Sequence, residues 1–331
     1  MLSRVADSLY WMARYLERVE NTARIIHVNQ NFILDSLPKR DHSKHLLQVL
    51  HSLDLEETAS VEGGLEATFK RLTFDPKETG SIIQCITYAR ENARNVRELI
   101  STEMWTQINK LYLTINLSNP EEIWDDLPYD YYKDIVEGIY LFQGITDGTL
   151  NHSQGWHFIR LGRYLERLVA LVAFLHVKLP HEMLVEKDQV QSRNYFRHAA
   201  LLKSLSAYEA YCKVYTTDLR PGWMAEFLIF NNAFPRSAAF CVEMIRNSLH
   251  DLSELTGKHK NQKVNQLAGR LHSTLHHNDI TDTKISGMGS FLNSLKTQAY
   301  QLHEVVYKTY VDYPIVTSAV TQSQSQSQIG R

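Results

Sequence analysis

Apolar residues recur at helical spacing along almost the whole chain, and no stretch shows a convincing strand pattern. The first helical pattern opens after Ser3, a residue suited to capping, and runs to about residue 34, before Pro38. Leu9, Met12, Leu16, Val19, Ala23 and Ile26 fall on one face of that helix. Arg14, Glu17, Arg18, Asn21 and Arg24 fall on another arc, bordered by Trp11, Tyr15 and Ile25. A looser region, 38–80, carries short helical patterns at 43–53 and 61–72, broken by Gly63-Gly64 and Asp75-Pro76. One helical stretch is predicted over 81–117, ended by Asn119-Pro120, and another over 129–150. After a turn at 151–155 the next helix runs to Pro180, with Phe158, Leu161, Leu165, Leu168 and Val172 as its stripe. From Leu168 to Leu175 it is apolar all round, the pattern of a helix buried on every side. Helices are also predicted at 195–215, 222–231, 236–255, 260–276 and 284–310, with Pro235 near the first turn of the third of these. The expectation is an all-α, multi-helix bundle over residues 1–312. The Gln/Ser-rich stretch 313–331 is expected to be a disordered tail.

A pentapeptide in the first helix returns in the later one. Arg14-Tyr15-Leu16-Glu17-Arg18 recurs as Arg163-Tyr164-Leu165-Glu166-Arg167, 149 positions on. The repeat suggests an internal duplication with halves at about 1–150 and 151–312. Two such helices meeting would line a pocket with fixed donors and carboxylates, and arginine suits bidentate capture of carboxylate or phosphate. Arg14, Arg18, Asn21, Arg24, Arg163 and Arg167 are then ligand-binding candidates, and Glu17 and Glu166 the catalytic ones. The other reading makes the same residues ion pairs that hold the bundle in register. The second Glu-Arg pair sits at the edge of the buried segment, a costly place for unpaired charge.

Arg90, Arg94 and Arg97 share a helical face, so that Arg90, Asn92 and Arg94 either extend such a pocket or belong to a solvated face. Tyr208 and Glu209 lie mid-helix among small residues and are candidates for a cavity wall, as is Arg236 beside Pro235. His272 and His276 have a metal-compatible spacing, but no third ligand is at hand in the sequence, and no metal site is expected.

Composition narrows the function classes. Among 331 residues, Lys+Arg 35 and Asp+Glu 37 leave a net charge of -2, so no whole-chain pull toward nucleic acid or acidic lipid follows. Cys85, Cys212 and Cys241 are far apart and read as reduced, buried thiols. Arg4, Asp7 and Arg14 interrupt any export signal, and the longest apolar run, 168–175, is far too short to span a bilayer. A soluble, cytoplasmic protein is expected, with no membrane or nucleic-acid partner. GxxxxGK[ST], strand-borne GxGxxG and GxSxG motifs are absent. No cofactor is expected to bind directly, and ATP would enter only through a partner.

Five separated stretches carry a resemblance: LSRVADSLYWMARYLERVENTARII (2–26), YARENARNVRELISTEMWTQIN (88–109), GWHFIRLGRYLERL (155–168), SAYEAYCKVY (206–215) and RPGWMAEFLIFNNAFPRS (220–237). In this order they resemble the bacterial alpha-E domain family, helical proteins named for a Glu-Arg motif, over about residues 1–312. The motif falls on Glu17-Arg18 and Glu166-Arg167, and an ENxAR element on Glu20, Asn21, Ala23 and Arg24. The resemblance implies association with a circularly permuted ATP-grasp-type protein and, beside it, a transglutaminase-like protein, in peptide ligation. Arg14, Arg18, Arg90, Arg94 and Arg167 would hold a carboxylate-bearing or phosphorylated peptide intermediate, with Glu17 and Glu166 orienting them or accepting a proton. A non-catalytic helical scaffold is the alternative. The family pattern implies further polar residues, including an arginine, after the second Glu-Arg. Here Val169-Ala170-Leu171-Val172-Ala173 follow, so a ligand contribution from the second copy is expected to be reduced. On the ligand-binding reading, Glu17→Gln and Glu166→Gln should abolish activity and leave melting unchanged.

Overall fold

The two copies of the pentapeptide lie on the two longest helices, and the rest of the chain is arranged about them. The computed structural model describes residues 3–55, 61–125, 128–185, 191–256, 262–277 and 287–310; the expected tail at 313–331 lies outside them. In chain order the α-helices are α1 (Ser3–Ser36), α2 (His42–Ser52), α3 (Gly64–Phe74), α4 (Ile82–Asn95), α5 (Thr102–Asn116), α6 (Pro120–Asp125) and α7 (Pro128–Thr149). There follow α8 (Gln154–Val185), α9 (Gln191–Ser204), α10 (Tyr208–Tyr215), α11 (Pro221–Phe230), α12 (Ala238–Thr256), α13 (Gln262–His277) and α14 (Met288–Tyr310). Among the described residues there is no strand, and the fold is all-α.

Packing in the second half repeats that of the first. In the first, α1 packs on α4 and α7, with α5 bridging those two. In the second, α8 packs on α12 and α14, with α13 bridging. Each half also lends a shorter helix to the other, since α2 packs on α8 and α9 on α1. The halves are therefore interlocked. Both stripes read from the sequence are buried: Leu9, Met12, Leu16, Val19, Ala23 and Ile26 on α1, and Phe158, Leu161, Leu165, Leu168 and Val172 on α8.

Two glycines let α1 and α8 approach closely. A Cβ on Gly162 would lie 2.3 Å from the Tyr10 carbonyl oxygen, and one on Gly155 would lie 3.2 Å from Leu9 Cδ1. Contacts climb the two helices together, from Leu9 against Gly155 to Arg18 against Glu166, so the helices run in the same direction. Gly162 occupies the repeat position of Ala13, and the crossing is thus made of small residues on both sides.

Several predicted boundaries move. The stretch 81–117 is two helices, because the chain turns through a 3-10 segment at Arg97–Leu99 and Ser101 Oγ then caps α5 by accepting from Met104 N at 3.2 Å. The stretch 195–215 also splits. Ser206 adopts φ 50° and Ala207 N donates to Leu202 O at 2.8 Å, a left-handed helix stop. Pro180 does not end α8, which runs on to Val185; Leu175 and Leu179 anchor the turn before the lost hydrogen bond by being buried. Pro235 sits in the turn before α12, and Ser237 provides the cap by accepting from Phe240 N at 3.1 Å.

Candidate functional site

Glu17 and Glu166 each reach across to the other helix. Glu166 accepts from Arg14 Nε at Oε2 and from Arg18 Nε at Oε1, both at 2.7 Å. Glu17 accepts from Arg167 Nε at 2.5 Å and from Arg167 Nη2 at 3.0 Å, the bidentate form. The two pairs are reciprocal, each carboxylate of one pentapeptide being held by arginine of the other. Glu17, Glu166, Arg14 and Arg167 are buried, whereas the side chain of Arg18 is 33% exposed.

The electrostatics follow from that arrangement. Burial alone would raise the Glu166 pKa, but the Arg18 and Arg14 guanidiniums more than reverse this and hold it down at about 2. Such a carboxylate is ionised at neutral pH and a poor proton acceptor. Burial opposes the charge on Arg163 as well, and its pKa is lowered because Asp147, 3.7 Å away, compensates only in part. On the other helix Arg14 Nη1 lies 2.9 Å from His303 Nδ1. Arginine has no acceptor, so Nδ1 accepts and His303 is neutral. Burial first, and Arg14 next, hold the His303 pKa down at about 4.

Around Glu17 the space is filled. Arg236 Nη1 lies 3.5 Å from Glu17, and Gln143 Nε2 donates to it at 3.3 Å. Arg236 Nη2 donates to Glu20 at 2.7 Å, and Arg24 Nη1 binds the same carboxylate oxygen. Arg24 also donates through Nε to the Ser204 carbonyl at 2.7 Å and through Nη2 to Asn21 at 3.0 Å. The Glu20 pKa is about 2, because Arg236 and Arg24 overcome the effect of burial. About 10 Å³ of free space remains there. Around Glu166 a cavity of about 150 Å³ is open instead, walled by Arg14, Arg18, Glu166, Asp54, Gly80 and Tyr300, among others. Asp54 there accepts from Lys296 Nζ at 2.6 Å and from the Tyr300 hydroxyl.

The structure thus gathers Arg14, Glu17, Arg18, Asn21, Arg24, Glu166, Arg167 and Arg236 into one region, with Arg163 on its edge. It does not bring in the arginine face of α4. Arg90 donates to Asn109 at 2.8 Å and stacks over Tyr112 at 4.6 Å, fastening α4 to α5. Asn92 donates to the Tyr88 carbonyl, and Arg94 is exposed with Glu91 at 2.5 Å. Tyr208 is likewise elsewhere, its hydroxyl 2.7 Å from that of Tyr195, and Glu209 lines an outer groove shared with Arg24 and Tyr140. The histidine pair gains a neighbour that the sequence did not offer. Ligand atoms of Glu243, His272 and His276 lie within 4.8 Å of one another. Arg246 holds the other oxygen of Glu243 at 3.0 Å, however, and opposes a cation there.

Asp54, Gly80, Tyr300 and His303 are not marked by the pentapeptide, but two weaker repeats point to some of them. Phe74-Asp75, Ser81 and Cys85 recur at identical spacing as Phe230-Asn231, Ser237 and Cys241. The local structures match: Ser81 Oγ donates to Asp75 O and accepts from Gln84 N, and Ser237 Oγ donates to Asn231 O and accepts from Phe240 N. Ser52-Leu53-Asp54 recurs as Ser204-Leu205-Ser206, both ending a helix with a positive φ, 63° at Asp54 and 50° at Ser206.

Fold and site together define an all-helical protein built on two buried, reciprocal Glu-Arg pairs. The chain belongs to the Alpha-E family, described as a predicted alpha-helical domain with a conserved ER motif, which it matches over residues 1–311. It is 23% identical over 312 residues to uncharacterized proteins of Mycobacterium bovis and Mycobacterium tuberculosis, a match covering 88% of this chain. The chain spans about a third of the length of these curated relatives (34%). No solved structure matches it. Among the described residues, no helix is long and apolar enough to cross a membrane.

Proposed function

We propose that this chain is the ligand-holding partner of an ATP-grasp-type amide ligase, gripping a carboxylate-bearing or phosphorylated peptide intermediate in an Arg/Glu-lined cavity. One observation carries the reading: Arg14 and Arg18 meet Glu166 at the wall of a cavity of about 150 Å³. Arg14 and Arg18 take the holding role in this proposal: both are paired with Glu166, but they line the open cavity, whereas only about 10 Å³ is free beside Arg167, and Arg90 and Arg94 lie elsewhere. Glu166, its pKa held at about 2, has little capacity to take a proton from an amine and acts by orienting arginines, and Glu17 orients Arg167 through its bidentate pair. The amide-ligase assignment rests on what the alpha-E resemblance implies. The length of the curated relatives outside the match also suits a domain that works with another module. A transglutaminase-like protein is a second partner on the same grounds. The cytoplasm, where isolated cysteines stay reduced, is the proposed setting.

The filled space around Glu17 favours the scaffold alternative for that half, in which the pair is an internal strut. Reconstitution with an ATP-grasp partner separates the two readings. ATP turnover that requires this chain supports the ligase role, and co-purification with no effect on turnover supports the scaffold.

A further inference from the structure

The two Glu-Arg centres occupy corresponding places in a repeated arrangement, so each shows what the other lacks. Glu20 and Arg24 of α1 have Val169 and Ala173 at their repeat positions on α8, and Arg236 before α12 has Gly80 before α4. Around Glu17, the carboxylate of Glu20 and the guanidiniums of Arg24 and Arg236 form one buried, mutually bonded group. The corresponding volume around Glu166 is the cavity, walled by Val169, Ala173 and Gly80. The small apolar run after the second Glu-Arg therefore has the opposite consequence to the one read from sequence. It makes room for a ligand.

The protein's own side chains describe what fits that room. Arg236 approaches Glu17 and Arg24 caps the carbonyl of Ser204, the last residue of α9. The corresponding acceptors in the open half are Glu166 and Ser52, the last residue of α2, with Asp54 beside it. A helix C-terminus favours a cation, and Asp54, already paired with Lys296 Nζ at 2.6 Å and with the Tyr300 hydroxyl, would share its charge with a second one. The Glu20 carboxylate is stabilised in part by Arg167, whose repeat counterpart is Arg18, the partly exposed arginine of the open half. We infer that the open Glu166 cavity binds a free α-amino acid, its carboxylate on Arg18 and its cationic nitrogen toward Asp54 and the Ser52 carbonyl. A volume of about 150 Å³ suits one amino acid. This inference rests on the reading of the cavity as a ligand site and names its ligand class, an amine-bearing substrate of the kind amide ligation consumes.

Calorimetric titration of the full chain tests it, with L-arginine and L-alanine as probes. Agmatine keeps the cations but lacks the carboxylate, and acetate supplies the carboxylate alone. An amino acid should bind at least about tenfold more tightly than either control. Ala173→Arg, which restores the guanidinium found in the filled half, should abolish binding while far-UV helicity and melting are retained. Gly80 is a poor site for the same change because its φ of 81° disfavours a side chain. Asp54→Asn provides a second variant, expected to weaken amino-acid binding and leave acetate unaffected. No heat from either amino acid, binding of acetate as tight as theirs, or unaltered binding by Ala173→Arg in a folded protein would overturn the inference. Amino-acid binding with no effect on any partner's ATP turnover would instead sink the ligase role and leave the cavity's assignment standing.

Discussion

Gly162 of α8 presses on the backbone of Tyr10 in α1, leaving no place for a side chain: an added Cβ would come within 2.3 Å of the carbonyl oxygen. Backbone cannot swing aside as a flexible side chain can. Gly162→Ala should therefore cost about 1–3 kcal/mol by forcing the two central helices apart. Gly148→Ala in α7 is the control. Nothing lies within 4 Å of its added Cβ, so it should be neutral or stabilise by up to about 1 kcal/mol through helix propensity. Urea unfolding of the two variants checks the contrast.

Burial of the Glu-Arg pairs changes what glutamate substitutions report. Glu166→Gln leaves Arg14, 4% exposed in its side chain, without its carboxylate. Breaking a buried pair by removing one partner costs about 3–5 kcal/mol. The sequence-based expectation of unchanged melting for this substitution is replaced by a marked drop in melting temperature. The drop by itself does not separate strut from ligand site, and binding measurements on variants of the cavity's other walls do.

His303 should make the protein acid-sensitive above the range where its carboxylates titrate. Its folded pKa, about 4, lies below the ordinary 6.5, so between these values the unfolded chain binds a proton that the folded chain does not. The stability it contributes is complete above pH 6.5 and is lost as pH falls toward 4. Glu166, held at about 2 against an ordinary 4.5, adds a loss only below about 4.5. His303→Gln, which can still accept from Arg14, should flatten the melting profile between pH 6.5 and 4.5. An unaltered slope in that window would assign the effect to other histidines, such as His27 and His157, whose pKa values burial also lowers.

The three thiols should separate by reactivity. Burial pushes the pKa of both Cys85 and Cys241 up to about 12, despite Arg18 beside the first and Arg167 beside the second. Little thiolate exists at either site at neutral pH. A thiol reagent added to the native protein should modify Cys212, which is partly accessible, and reach the other two only after denaturation. Mass spectrometry of the labelled peptides reads this directly.

Much of the architecture is legible in the residue pattern, because a helix repeats every 3.6 residues and its buried face shows as a periodic stripe. The stripes of α1 and α8 were readable to the residue, and so was the set of side chains on the arc between Arg14 and Arg24. Periodicity does not mark the places where a local hydrogen bond overrides it, as at the Ser101 cap and the Ser206 turn. The arginine face of α4 stays open between two readings in the sequence for a different reason. Periodicity says which residues share a face, but not which neighbour that face meets, and Arg90 meets α5.

From sequence alone came the all-helical class, the repeated Glu-Arg helix and the small apolar run that follows its second copy. Only the tertiary structure decided that the two copies exchange partners, that Arg236 comes in from a distant turn to fill one half, and that Gly80 leaves the other open. Those outcomes depend on helices far apart in the chain being packed side by side. Local periodicity carries no information about that distance, which is set by how the buried faces fit together.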